Sequence, residues 1–184
     1  MRAVRRLLLL AFLLASSIAH ADVDIAAGVA SMSASLDDGS QGDDTGPMLA
    51  FDGGVHLAPW LSLGGLATFA LYRNSDAVDG MRKVVTFAAG PDARLHWRRA
   101  FLGLGGGIEL WHASFDDPGA PRSWFPGGMA RVELGVTSEP MTRCVRAMIA
   151  ARFEEAWFPQ APVDSAFSTS GSMATFEVVA GVEL

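Results

Sequence analysis

The chain has 184 residues, a formal net charge of −6 and a mean hydropathy of +0.27. That length suits one domain, and a composition that is 50% hydrophobic excludes bulk disorder. A single cysteine excludes an intrachain disulfide framework and a multi-cysteine zinc site, and the acidic balance excludes a nucleic-acid module, which needs a basic face.

The first segment reads as a secretion signal. Arg2, Arg5 and Arg6 form a positive region, Leu7 to Leu14 an apolar run too short to span a bilayer, and Ala19-His20-Ala21 a cleavage site. Residues 1–21 are therefore the expected signal peptide and residues 22–184 the mature domain. Its removal takes away three arginines and no acids, which leaves a mature charge of −9. No run of about 18 apolar residues remains to form a transmembrane helix.

The mature chain alternates with period two, the mark of half-buried strands. In the first strand Val23, Ile25 and Val29 share a face that then turns to Ser31, Ser33 and Ser35, and a bulge near 29–31 is expected to explain the switch. In the second strand Leu49, Phe51, Val55 and Leu57 oppose Asp52 and His56, and in the third Leu61, Leu63, Phe69 and Leu71 oppose Ser62, Thr68 and Tyr72. Val85, Phe87 and Leu95 oppose Asp92, Arg94 and His96 in the fourth, where Pro91 predicts a bulge or local break. Leu102, Leu104, Ile108 and Leu110 oppose Gly103, Gly105, Gly107 and Glu109 in the fifth. Val132, Leu134 and Val136 oppose Arg131, Glu133 and Gly135 in the sixth. Ile149, Ala151 and Phe153 oppose Arg146, Arg152 and Glu154 in the seventh, and Phe176, Val178 and Val182 oppose Glu177 and Glu183 in the last.

Long polar connections near 36–46, 73–83, 113–126 and 155–172 alternate with shorter ones near 58–59, 96–100 and 137–143, as when alternate connections lie at opposite ends of a barrel. With the secretion signal and a final strand running to Leu184, this organisation resembles the small eight-stranded outer-membrane barrels of the OmpA/OmpX-like type. The resemblance covers residues 22–184 and rests on architecture, with no short diagnostic motif. Leu184 stands where such barrels often end in an aromatic residue. The resemblance implies an all-β fold, an eight-stranded antiparallel up-and-down transmembrane β-barrel. It implies a monomer in the cell outer membrane, in contact with outer-membrane lipids and lipopolysaccharide, assembled with periplasmic chaperones and the barrel-assembly machinery. It implies no cofactor, no metal and no nucleic acid, with a structural or surface-interaction role.

If the apolar faces meet lipid, the polar faces point inward, and eight strands enclose an interior just wide enough to be filled by side chains. Asp52, Asp92, Arg94, Glu109, Arg131, Glu133, Arg146, Arg152, Glu154 and Glu177 then form an interior charge network, with Gly90, Gly103, Gly105, Gly107 and Gly135 making room for the arginines. Trp60, Trp97, Trp111, Trp124 and Trp157 are expected at the two membrane interfaces. A secreted lipocalin-like ligand binder would reverse the faces but would carry dense charge outside, and Lys83 is the only lysine. A narrow channel is the remaining non-enzymatic alternative.

One constellation suggests chemistry. His112, Ser114 and Asp116 share a parity near the end of the fifth strand, and His112-Ala113-Ser114 resembles the His-x-Ser element of the lipid A deacylases, where His activates Ser for ester hydrolysis. Phe115 stands where that family has Asn, and the element lies in the fifth strand where the family has it in the last ones. Asp37-Asp38 and Asp43-Asp44 read as an acidic solvated loop, and Cys144 as an inert, inward-facing thiol near a short turn.

Overall fold

The computed structural model describes residues 21–37, 41–73, 81–115, 124–142, 145–161 and 169–184. The proposed signal, apart from Ala21, lies outside them, as do Asp38, Asp116, Cys144 and the side chain of Ser114. Eight strands follow one another: β1 (Ala21–Leu36), β2 (Gln41–Ala58), β3 (Leu61–Arg73), β4 (Met81–Trp97), β5 (Ala100–Phe115), β6 (Trp124–Thr137), β7 (Arg146–Ala161) and β8 (Thr169–Glu183). Each pairs antiparallel with its neighbour, and β1 pairs with β8, so the sheet closes. Closure removes both edges and gives every strand two partners.

The period-two pattern becomes an inside and an outside. Val23, Ile25, Leu49, Phe51, Phe87, Leu104, Leu134, Phe153 and Phe176 are exposed on the outer wall, while Asp52, Glu109, Arg131, Glu133, Arg152, Glu154 and Glu177 are buried within. This reverses the usual arrangement of a water-soluble barrel.

Two tight turns, Pro59–Trp60 and Arg98–Arg99, together with residues 138–142, mark one end, here the turn end; the opposite end is the loop end. Arg98 has φ 58°, the left-handed region, at a cost of about 1–2 kcal/mol for a side chain with a Cβ.

The strands outrun the expected spans at the loop end. β2 begins at Gln41 rather than Leu49, so Asp43 and Asp44 lie in a strand, paired with Ser33 and Met32, and not in a loop. β6, β7 and β8 lengthen in the same direction. Alternating hydropathy stops where the outer wall turns polar, but backbone pairing continues beyond it. For the same reason the first strand needs no bulge. Its register against β2 is unbroken from Ala21 to Ser35, and Ser31, Ser33 and Ser35 simply continue the outward face.

Pro91 also produces no bulge. The register between β4 and β5 is the same on both sides of it, and only the pairing at Gly90 and Pro91 is skipped. There the strands approach closely: a Cβ on Gly90 would lie 2.0 Å from the Gly106 carbonyl oxygen, and one on Gly107 would lie 2.2 Å from that of Ala89. These glycines serve strand approach rather than arginine packing. Gly135 makes room for the Phe101 ring, 2.2 Å from where its Cβ would stand, whereas Gly103 faces Glu133 and Arg94, and Gly105 lies beside Leu66 and Asp92.

Candidate functional site

Alternation puts the polar side chains of all eight strands into one narrow lumen, and the antiparallel register sets their depth. Arg131-x-Glu133 on β6 faces Arg152-x-Glu154 on β7, so Arg131 lies opposite Glu154 and Glu133 opposite Arg152. Closure then brings the far wall within reach. Asp52 of β2 accepts from Arg131 Nη2 at 2.8 Å and Arg152 Nη2 at 2.5 Å, and Arg94 Nη2 lies 3.2 Å away. Glu133 is shared by Arg152 Nε at 2.6 Å and Arg94 Nη2 at 3.0 Å. Arg94 also pairs with Asp24, lies 3.5 Å from Asp92 and stacks over the Phe101 ring at 5.0 Å. Asp52, Arg131, Glu133 and Arg152 are all buried. Charges taken out of water are tolerated when paired in this way, and leaving one unpaired is costly.

Asp24 is a site residue that the sequence reading missed. It is buried and belongs to the Arg94 cluster. The pattern that reveals it is plain alternation: Val23 and Ile25 point out, so Asp24 points in.

Three carboxylates lie toward the loop end of this cluster. Glu109 and Glu154 are hydrogen-bonded to each other, Glu109 also to Thr86, and Glu177 is close to both Glu154 and Arg152. On their loop side sits a buried layer of Tyr72, Trp111, Phe158 and Met173, in which Trp111 meets Phe158 edge-on at 5.3 Å. Glu109→Gln supplies a permanent donor to Glu154 and removes a like charge. Its expected unfolding free energy in detergent is within about 1 kcal/mol of wild type or above it; a loss of several kcal/mol in a denaturant titration would mean that Glu109 has a cationic partner.

Two expected assignments are corrected. Trp111 is not an interface aromatic; it is 1% exposed inside the barrel, because it shares the parity of Glu109. Arg146 has the inward parity but lies at the turn-end rim, where it is half-exposed and meets Glu183 at 2.9 Å, outside the central network. Trp60 and Trp97 at the turn end, and Trp124 and Trp157 toward the loop end, are exposed on the outer wall.

At the turn end His56 pairs with Asp22, its ring lies 5.0 Å from that of His96, and His96 Nε2 is 2.9 Å from the Ser62 hydroxyl. A cavity of about 20 Å³ lies among Asp24, Asp52, Ser62, Asp92 and Arg94. That is room for about one water. Among the described residues no group of three or more His, Cys, Asp and Glu is placed to hold a metal ion. His112 stacks against its cross-strand partner Trp124 at 5.0 Å. Ser114 lies two positions further along β5, opposite Lys83 in β4.

By sequence, the chain matches no family model and no curated protein. By structure, it is similar to Neisserial surface protein A (NspA), at 18% identity and a TM-score of 0.55, covering 88% of this chain and 96% of that one. It is also similar to Ail, the attachment invasion locus protein of Yersinia pestis, in complex with the heparin analogue sucrose octasulfate. There the identity is 15% and the TM-score 0.55, over 90% of this chain and 99% of that one. The fold is that of the small eight-stranded outer-membrane barrels. At this level of identity the likeness concerns the fold alone.

Proposed function

We propose that the chain is an integral outer-membrane protein, exported by residues 1–21, whose barrel is a closed scaffold for non-enzymatic contacts made at its loop end. The observation that carries this reading is the reversal of polarity: an apolar belt with tryptophans near both ends surrounds a lumen of paired charges. Backbone groups in lipid must all be paired, and a closed barrel does this. The short turns face the periplasm and the loop end faces outward. Outer-membrane lipids and lipopolysaccharide surround the monomer, and periplasmic chaperones and the barrel-assembly machinery deliver it. The ion-paired lumen serves as a staple between opposite walls.

Sucrose octasulfate, the heparin analogue bound to Ail, is a polyanion. The loop end here carries Asp37, Asp43 and Asp44 together with Arg73 opposite Lys83, a mixed charge that matches no polyanion as a whole. The position of His112 against Trp124 fits an interface aromatic cluster better than a hydrolase.

Cell fractionation with heated and unheated gels tests the reading. The protein is expected in the outer membrane with heat-dependent mobility, and planar bilayers containing it are expected to show no steady conductance. Recovery from the soluble periplasm would overturn the membrane assignment, and a conductance that changes with Arg131 or Glu133 substitution would overturn the closed lumen. Altered lipid A acyl chains that depend on His112 and Ser114 would replace the non-enzymatic role with a hydrolase.

A further inference from the structure

We propose that the outer wall at the turn end seats one phospholipid, its phosphate on the Arg98–Arg99 turn and its acyl chains in two adjoining grooves. This rests on the membrane-barrel reading above.

The grooves follow from side-chain size along the register. Leu102, Leu134, Ala151 and Val178 form one row around β5 to β8, and Ala100, Val136, Ile149 and Ala180 form the next row toward the turn end. Ala151 falls short between Leu134 and Val178, and Phe153 and Phe176 stand in the row beyond it. The result is a groove of about 440 Å³, open along the wall and lined by Leu134, Val136, Ile149, Ala151 and Val178. A second groove of about 230 Å³, between Leu95, Trp97 and Leu102, shares Ala100 and Leu134 with the first. Two apolar channels with a common wall match two acyl chains leaving one glycerol.

The mouth of this pair is cationic. Arg98 and Arg99 occupy the two-residue turn between Trp97 and Ala100, the residues that border the grooves. Arg98 is exposed and has no ion-pair partner among the described residues. Arg99 pairs with Glu139, and its carbonyl accepts from Thr137 N at 2.8 Å, which ties the turn to the end of β6. Trp97 is 78% exposed beside them, where an interfacial ring packs against glycerol and upper chain carbons. The left-handed φ of Arg98 suits glycine, so the position is occupied by arginine at a backbone cost, which the guanidinium repays by binding phosphate. A free phosphate would use the arginines and leave both grooves unused; a diacyl phospholipid uses all of these features.

The test takes the processed protein, purified in mild detergent, through native mass spectrometry with added dioleoyl phosphatidylglycerol. Glycerol 3-phosphate and dioleoylglycerol supply the headgroup and the chains alone. One phosphatidylglycerol per barrel is expected, saturating, with neither partial probe retained at the same concentration. Retention should fall about tenfold in the double variant Arg98→Gly, Arg99→Ser, and by a similar factor in Ala151→Phe, which fills the larger groove. Heat-dependent gel mobility checks folding of each variant; should Ala151→Phe misfold, Ala151→Leu replaces it and the arginine variant stands alone. Adducts that accumulate without saturation and ignore both substitutions would overturn the proposal, as would equal binding of glycerol 3-phosphate or a dimer seated at the grooves. A protein that does not enter vesicles at all would instead overturn the membrane reading, so the two failures are distinguishable.

Discussion

Asp52→Ala destabilises the folded barrel by about 3–5 kcal/mol, the cost of leaving buried charges without their partner. Asp52 is the point at which three arginines from β4, β6 and β7 converge. Arg94 and Arg152 keep Glu133 after the change, but Arg131 loses the carboxylate on which its Nη2 bonds at 2.8 Å while remaining 3% exposed. Urea unfolding in detergent micelles, followed by tryptophan fluorescence, is the measurement, with gel mobility as a second readout. An unchanged midpoint would remove Asp52 from the centre of the network. The pair also predicts strong non-additivity: adding Arg131→Met to Asp52→Ala should restore part of the loss, because the orphaned guanidinium is replaced by an apolar chain of similar length. If the second substitution instead adds a further full loss, Arg131 has another partner worth as much as Asp52.

The residues of the lumen show where sequence patterning is informative and where it stops. Period two settles the face of a side chain, because adjacent Cβ atoms point to opposite sides of a strand. It therefore places Arg131, Glu133, Arg152 and Glu154 inside without a structure. It also places Trp111 and Asp24 inside: proximity to a loop points Trp111 to the interface instead, and Asp24 follows directly from the outward parity of Val23 and Ile25 on either side of it. Parity is silent about depth, so it groups Arg146 with the central charges although Arg146 lies at the rim. Partner choice is less legible still. The contact between Asp52 and Arg152 spans the lumen between residues 100 positions apart, and it exists only once β1 has paired with β8. Strand ends at the loop side were hidden for a different reason. Beyond the apolar belt both faces meet polar surroundings, so alternation disappears while the backbone ladder goes on, as with Ser33 opposite Asp43. The phospholipid seat is hidden in the same way, since its grooves come from the small size of Ala100 and Ala151 relative to neighbours on other strands.

Val132→Arg decides between the membrane barrel and a soluble one with the same topology. Val132 is 46% exposed on the outer wall of β6, between Leu104 of β5 and Phe153 of β7. It belongs to a row well inside the belt, away from Trp97 at one end and Trp124 at the other. In a bilayer, arginine on the lipid face near the midplane costs about 2–4 kcal/mol, falling toward zero at the interfaces. In water the same change on an exposed strand position falls within about 0.5 kcal/mol. The variant is therefore expected to fold poorly into phospholipid vesicles, with a lower urea midpoint than wild type. Ser33→Arg, on the same outward parity but beyond the belt at the loop end, should be close to neutral. The contrast between the two sites matters more than either value, because a general intolerance of arginine on the outer wall would affect both. Equal and small effects at Val132 and Ser33 would mean that the outer wall faces water, and the charged lumen would then need an explanation other than insertion in lipid.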